Sequence, residues 1–394
     1  MTNKLDNGIP IDRQKPKLLI LIPKSLYLNP TEKCFINALQ RRFEVVKYGP
    51  GYLSTLEIKD DIRIVCEELG PFDGIIIHQY FLLNNLKAAS ESGYFAFDVN
   101  GFLTAHPQFP SHYDKLPCPV FALMLRADVY SFSESYIKTL ERFSGYIIAW
   151  PADFVAPLDQ LNDLEKESFG KQATDRYRDF AIANDHRIIP VIHVIGNDEF
   201  CEMEWKKKNL DVCIPGVQYY TRKSASRILE ASGRKAVISP LSIRIVYRLA
   251  SLFNIKLQRS SWGIWYLNHN FRKMISYSKL CYTDGSLLRY PVRKFFEIPA
   301  FGSLLVADPC VGTEELGFRN EVSFLSAKPE ELPDLIGDVL QNEDRTIKII
   351  KAGQRLISER HSGSARAEQF YGIFRKVVKG DFNGARWHQG ELIF

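Results

Sequence analysis

The chain has 394 residues, 45% of them hydrophobic and 25% charged, which excludes a disordered or fibrous polymer and suffices for two ordinary domains. Its net charge of +5, from 51 basic and 46 acidic residues whose signs read as well mixed, excludes a nucleic-acid partner that would need a basic stripe. No apolar run approaches the roughly 20 residues that cross a bilayer, and the seven cysteines stand singly, without C-x-x-C spacing, as reduced thiols do. The polar start Met1-Thr2-Asn3-Lys4-Leu5-Asp6 has no apolar core of signal-peptide type, so the expected location is the cytoplasm.

In chain order, Leu18-Leu19-Ile20-Leu21-Ile22 is a short continuous apolar run between Pro16 and Pro23. It predicts a strand buried on both faces, as in a parallel sheet. A helix is predicted over Thr31 to Arg42, a strand at Glu44–Lys47, a helix near Leu56 to Leu69 and a strand at Phe72–Ile77. Further apolar runs stand at Val120–Met124, Tyr146–Trp150 and Ile188–Ile192, with a weaker strand signal at Tyr94–Phe97. Strands alternating with helices at this spacing predict βαβ units and a doubly wound parallel sheet.

The alternation restarts at Leu210-Asp211-Val212-Cys213-Ile214, followed by Pro215-Gly216 and a helix over Arg222 to Ala231. A helix near Ser242 to Phe253, strands at Lys279–Cys281 and Ser303–Ala307, a helix opening at Pro291, and closing helices at 330–341, 345–359 and 365–378 complete the pattern. The boundary falls between Ile195 and Leu210. The expected organisation is an N-terminal Rossmann-like unit over 1–200, a second over 201–375, and a tail over 376–394 that packs back on the first. Ligands of such folds bind at the carboxyl ends of the strands, in the cleft between halves.

Within the second unit, Pro291-Val292-Arg293 leads into a helix whose free N–H groups attract an anion, and Arg293 supplies a guanidinium suited to phosphate. Glu297 lies four residues on, and Gly302 ends the helix. By spacing alone, Arg293 and Glu297 read more readily as an ordinary i,i+4 surface pair.

The pattern Arg293-x3-Glu297-Ile298-Pro299-Ala300-x-Gly302, followed by Leu304–Asp308, resembles the donor-site signature of GT-B glycosyltransferases, nearest the CgeB-like group and the "glycosyl transferases group 1" C-terminal domains. The resemblance extends over about residues 205–375, including Asp211–Gly216, Tyr219 or Tyr220, Arg222, and His361-x4-Arg366. It implies GT-B architecture and transfer of a sugar from a UDP- or GDP-linked donor to an acceptor hydroxyl, without a metal ion or other cofactor. It further implies that Glu297 binds the ribose, Arg293 and Arg222 the diphosphate, and that Gly216 permits close approach beside Tyr219. Many retaining members carry two glutamates eight residues apart; Glu297 matches the second, and at the place of the first stands Arg289, a further phosphate contact or an exposed loop residue.

The acceptor, a carbohydrate or glycolipid, is expected on the N-terminal unit, with peripheral membrane contact open. A base there would stand just after a strand. His106, Asp98 and His78 are the candidates in that order, and His193 reads as a core histidine. Two other readings keep the fold: a sugar-nucleotide epimerase or phosphoribosyl-donor transferase, and a non-catalytic sugar-nucleotide-binding protein.

Overall fold

The computed structural model describes residues 15–25, 29–82, 95, 97–125, 134–151, 154, 173–216, 218, 220–253, 255, 257, 260–285, 289–308 and 310–394. The N-terminal unit comprises β1 (Lys17–Leu21), α1 (Pro30–Leu39), β2 (Glu44–Tyr48), α2 (Ile62–Leu69), β3 (Gly74–His78), α3 (Val99–Ala105), β4 (Val120–Met124), α4 (Glu134–Leu140), β5 (Gly145–Ile148), α5 (Ala173–Ala183) and β6 (Ile188–Pro190). The second unit holds β7 (Leu210–Cys213), α6 (Tyr220–Ala231), α7 (Leu241–Leu252), α8 (Ser261–Ser276), β8 (Ser278–Thr283), α9 (Arg293–Ala300), β9 (Leu304–Ala307), β10 (Leu325–Ser326), α10 (Leu332–Gln341) and α11 (Glu343–Leu356). The chain ends with α12 (Gly363–Lys379) and a hairpin of β11 (Arg386–His388) and β12 (Glu391–Ile393).

The first sheet has the order β2-β1-β3-β4-β5-β6 and the second β10-β9-β8-β7. Every pairing in both is parallel. This is why the strands are continuous apolar runs: β3, β4 and β5 are buried at every residue, since helices cover both faces. The architecture is α/β with two Rossmann-like units, as the alternation predicts.

The units exchange chain twice, and the two crossings lie side by side. Ile195 N–H donates to His361 O at 3.2 Å, and Gly363 N–H to Ile195 O at 2.8 Å. Beyond that point α12 covers the first sheet, where Phe370 and Phe374 pack against Phe35, Phe43 and Phe121. A Cβ at Gly74 would lie 2.7 Å from the Phe374 ring, so the absent side chain admits that ring. The return therefore begins at Gly363, whereas the sequence pattern kept residues up to 375 with the second unit. An amphipathic helix covers either sheet equally well, and periodicity does not say which.

The return is held by a buried clasp. His361 Nε2–H donates to Leu316 O at 2.8 Å, and its Nδ1 accepts from Arg366 at 2.8 Å. Among the described residues Arg366 has no carboxylate partner; it bonds the Arg360 and Ile192 carbonyls and lies 4.4 Å from the Trp387 ring centroid. Trp387 Nε1–H in turn donates to Pro190 O at 3.1 Å. The His-x4-Arg ending is thus a structural device that joins the units.

Candidate active site

The carboxyl ends of β7, β8 and β9 bring Gly216, Asp284 and Asp308 to one edge of the second sheet. Gly216 has φ of 93°, a conformation open to glycine at little cost. A Cβ there would sit 2.4 Å from Lys294 Cε and 3.4 Å from an Arg222 terminal nitrogen. Arg222, 3% exposed, donates through Nε to Asp284 Oδ1 at 2.8 Å and keeps its outer nitrogens near the glycine. Lys294, in the first turn of α9, makes no hydrogen bond or ion pair with any described residue. Burial pushes its ammonium below the ordinary lysine range, with Glu297 acting in the opposite sense and Arg222 reinforcing the shift. Burial likewise raises the Asp308 carboxyl, helped by Asp284.

Lys294 was missed by sequence reasoning, which stopped at the arginine before it. The available signal was its position at the start of a helix whose N-cap residue, Val292, has no side chain to cap it.

Arg293 has a different place. Its Nε donates to Glu297 Oε1 at 2.8 Å and one terminal nitrogen to both Glu199 oxygens at 3.0 and 2.8 Å. The other donates to Thr31 Oγ1 at 3.4 Å and to the Val194 carbonyl. Nε and both terminal nitrogens of the guanidinium are therefore engaged by protein groups. The expected phosphate ligand is instead a latch between units, joining α9 to the start of α1 and the end of the first sheet. Burial opposes its charge, but Glu297 and Glu199 outweigh that and hold it firmly protonated. The remaining Glu297 oxygen makes no hydrogen bond among the described residues, and Glu297 lines a cleft of about 690 Å³ together with Lys33, Arg41, Trp265 and Asn268.

Gly302 is a helix terminator with φ of 75°, at the end of α9 remote from Lys294. A Cβ there would lie 2.7 Å from Cys201 O, so its role is close packing away from the strand ends. Arg289 is exposed, in a turn with φ of 51°, and its charge acts on Asp308. Tyr219 lies outside the described residues.

On the N-terminal unit, His106 is not at the cleft edge of its strand. Its Nδ1 meets Asp60 Oδ1 at 2.6 Å and its Nε2 the Thr55 carbonyl at 2.8 Å, so both nitrogens fasten the segment after β2. Asp98 is the exposed N-cap of α3, without a capping bond. His78 is fully buried: Nδ1 accepts from Tyr80 N–H at 3.2 Å and Nε2 meets Glu32 at 3.3 Å.

His193 is the histidine at the junction of the units. Its Nδ1 lies 3.1 Å from Thr31 Oγ1, which also receives Arg293, and its Nε2 is buried without a partner among the described residues. The ring lies between Tyr290 and Phe296 of the second unit. An apolar run concealed it, because the run ends at the interface and not inside the sheet.

Burial holds His193 and His361 well below the ordinary imidazole range; Arg293, Lys294 and Arg366 add to this at His193, and Arg366 at His361. Both are neutral near pH 7, while unfolded imidazoles protonate near pH 6.5. Below that pH the unfolded chain binds more protons than the folded one, so stability falls, by up to about 1.4 kcal/mol per pH unit for each histidine. The expected result is a melting temperature that declines from pH 6.5 to 5.5, with the slope reduced by about one proton in His361→Gln. An unchanged slope in that variant would show that His361 takes its proton in the folded state.

Residues 258–372 match the family described as glycosyl transferase-like. No curated protein matches the chain. Among solved structures, the Anabaena protein HepE in complex with UDP aligns with TM-score 0.51 and 12% identity, over 91% of this chain and 98% of that one. HepE in complex with UDP-glucose gives 0.48 and 12%, over 90% and 98%. Sucrose-phosphate synthase from Thermosynechococcus elongatus gives 0.49 and 9%, over 93% and 100%. The chain has the GT-B glycosyltransferase fold, and its second unit carries a glycosyl transferase-like segment.

Proposed function

We propose that the chain is a glycosyltransferase that takes a sugar from a nucleoside diphosphate and transfers it to an acceptor hydroxyl. One observation carries this reading: Lys294, a half-buried ammonium with no hydrogen-bond or ion-pair partner among the described residues, stands against a positive-φ glycine at the carboxyl edge of a parallel sheet. A diphosphate supplies the missing anion, and Gly216 leaves room for it. HepE, which shares the fold, has been solved with UDP, which suggests uridine as the first nucleoside to test.

In this reading the acceptor oxygen forms a bond to the anomeric carbon while the bond to the diphosphate breaks. Lys294 and Arg222 take up the charge that develops on the leaving group. The free Glu297 oxygen receives a ribose hydroxyl, and Asp284 and Asp308 accept hydroxyls of the sugar. The acceptor proton leaves to a base on the first unit.

The decisive measurement is thermal stability with UDP, GDP, CMP and ADP sugars, followed by product analysis with an acceptor panel. A donor that binds the native state raises its melting temperature. Nucleoside diphosphate should then accumulate only when an acceptor is present. Stabilisation by none of the four classes would refute the donor site, and conversion of the sugar without an acceptor would point to epimerisation.

A further inference from the structure

The even mixing of charge signs fails over residues 231–283, which contain nine lysines and arginines and not one aspartate or glutamate. That segment builds α7, α8 and β8, in the last of which Lys279 pairs with Asp211 at 2.8 Å, and it carries most of the exposed large apolar side chains described. On α7, Leu241 (64% exposed), Ile245, Leu249 and Leu252 (78%) recur at intervals of four, four and three residues, so they form one stripe. Phe253 (73%) follows at its end. The helix buries only Ala250, so the stripe is additional to the face it uses for packing. Arg244 and Arg248, both exposed, each precede a stripe residue by one position and flank it. A Ser242–Asn270 hydrogen bond ties α7 to α8, where Trp262 and Trp265 are each 58% exposed.

We infer that this face docks on an anionic lipid surface. An apolar stripe of this extent on a soluble domain marks an interaction site. Its chemistry selects the occupant. The exposed Arg244 and Arg248 suit a negatively charged surface and extend to phosphates, tryptophans prefer the depth of the headgroups, and aliphatic side chains enter the acyl boundary. A second copy of the chain would set cation against cation. A nucleic acid would offer nothing in which to bury Leu241, Ile245 and Leu252. Trp265 also lines the 690 Å³ cleft that Glu297 lines, so an opening lies beside the docked face. Supply of a headgroup-level acceptor through that opening rests on the donor reading; the docking itself does not.

The test is co-sedimentation of the full chain with phosphatidylcholine vesicles, with and without phosphatidylglycerol. The chain should pellet with the anionic vesicles only, and less as salt rises. The variants Arg244→Glu/Arg248→Glu and Leu252→Glu/Phe253→Glu should each weaken binding by about tenfold or more, given roughly fivefold per surface cation. Their melting temperatures should match the parent, since all four side chains are exposed, and nucleotide-induced stabilisation should be unaffected. Failure to pellet with anionic vesicles at low salt would overturn the inference, as would equal pelleting by both variants. A dimer in solution that Leu252→Glu/Phe253→Glu abolishes would assign the stripe to a second copy instead, and RNA binding lost in Arg244→Glu/Arg248→Glu would assign it to a nucleic acid.

Discussion

Arg293→Ala should lower the stability of the protein by about 3 kcal/mol, the lower end of the range for removing one partner of a buried ion pair. The lower end is appropriate because Arg293, Glu297 and Glu199 retain 12%, 13% and 25% side-chain exposure, so water screens part of the loss. The substitution leaves two carboxylates facing each other, with Thr31 and the Val194 carbonyl losing their donor. Arg293→Lys should fall between, since an ammonium keeps the charge but cannot span four partners from five fixed N–H groups. Coupling is the sharper measurement: in a double-mutant cycle, Glu199→Gln should cost markedly less in the Arg293→Ala background than in the parent. If thermal unfolding showed Arg293→Ala as stable as the parent, with only nucleotide affinity reduced, the latch would be refuted and the phosphate role restored.

Lys294→Met should produce the opposite pattern. Stability should hold or rise slightly, because a half-buried cation without a hydrogen-bond or ion-pair partner among the described residues is replaced by an apolar chain of similar length. Affinity for a nucleoside diphosphate should drop by roughly 30- to 100-fold, which corresponds to about 2–3 kcal/mol for a hydrogen bond to a charged group. Gly216→Ala should reach a comparable loss by another route, since its methyl would occupy the space beside Lys294 Cε and strain the backbone. Isothermal calorimetry with UDP measures both. Unaltered affinity in Lys294→Met would remove the diphosphate from this edge of the sheet.

The two substitutions concern neighbouring residues in one helical turn, and their contrast is informative. Successive helical side chains point about 100° apart. Arg293 is therefore turned toward α1 and the crossing at Val194, and Lys294 toward Gly216. A linear motif contains both and does not say which one faces the ligand.

The strands and their burial were legible from the residues, because a parallel sheet covered on both faces requires continuous apolar runs such as Ile75-Ile76-Ile77 and Leu304-Leu305-Val306-Ala307. The restart of the pattern near residue 210 likewise announced a second unit. The 16-residue α8 was overlooked, since its buried Met274, Ile275 and Ser276 sit at one end and exposed tryptophans dominate the rest. The acid-free stretch was readable too, but whole-chain totals of 51 and 46 average it away.

Local sequence thus determined which segments fold, how they alternate, and which turn carries the basic residues. Tertiary structure alone decided the partners: that Arg293 meets Glu199, that α12 returns to the first sheet, that His106 is fastened to Asp60, and that His193 stands at the junction of the units. The reason is physical. Burial and periodicity are properties of a segment, whereas the committed or free state of a donor depends on groups 100 or 260 residues away, brought within 3.5 Å only when both sheets are assembled.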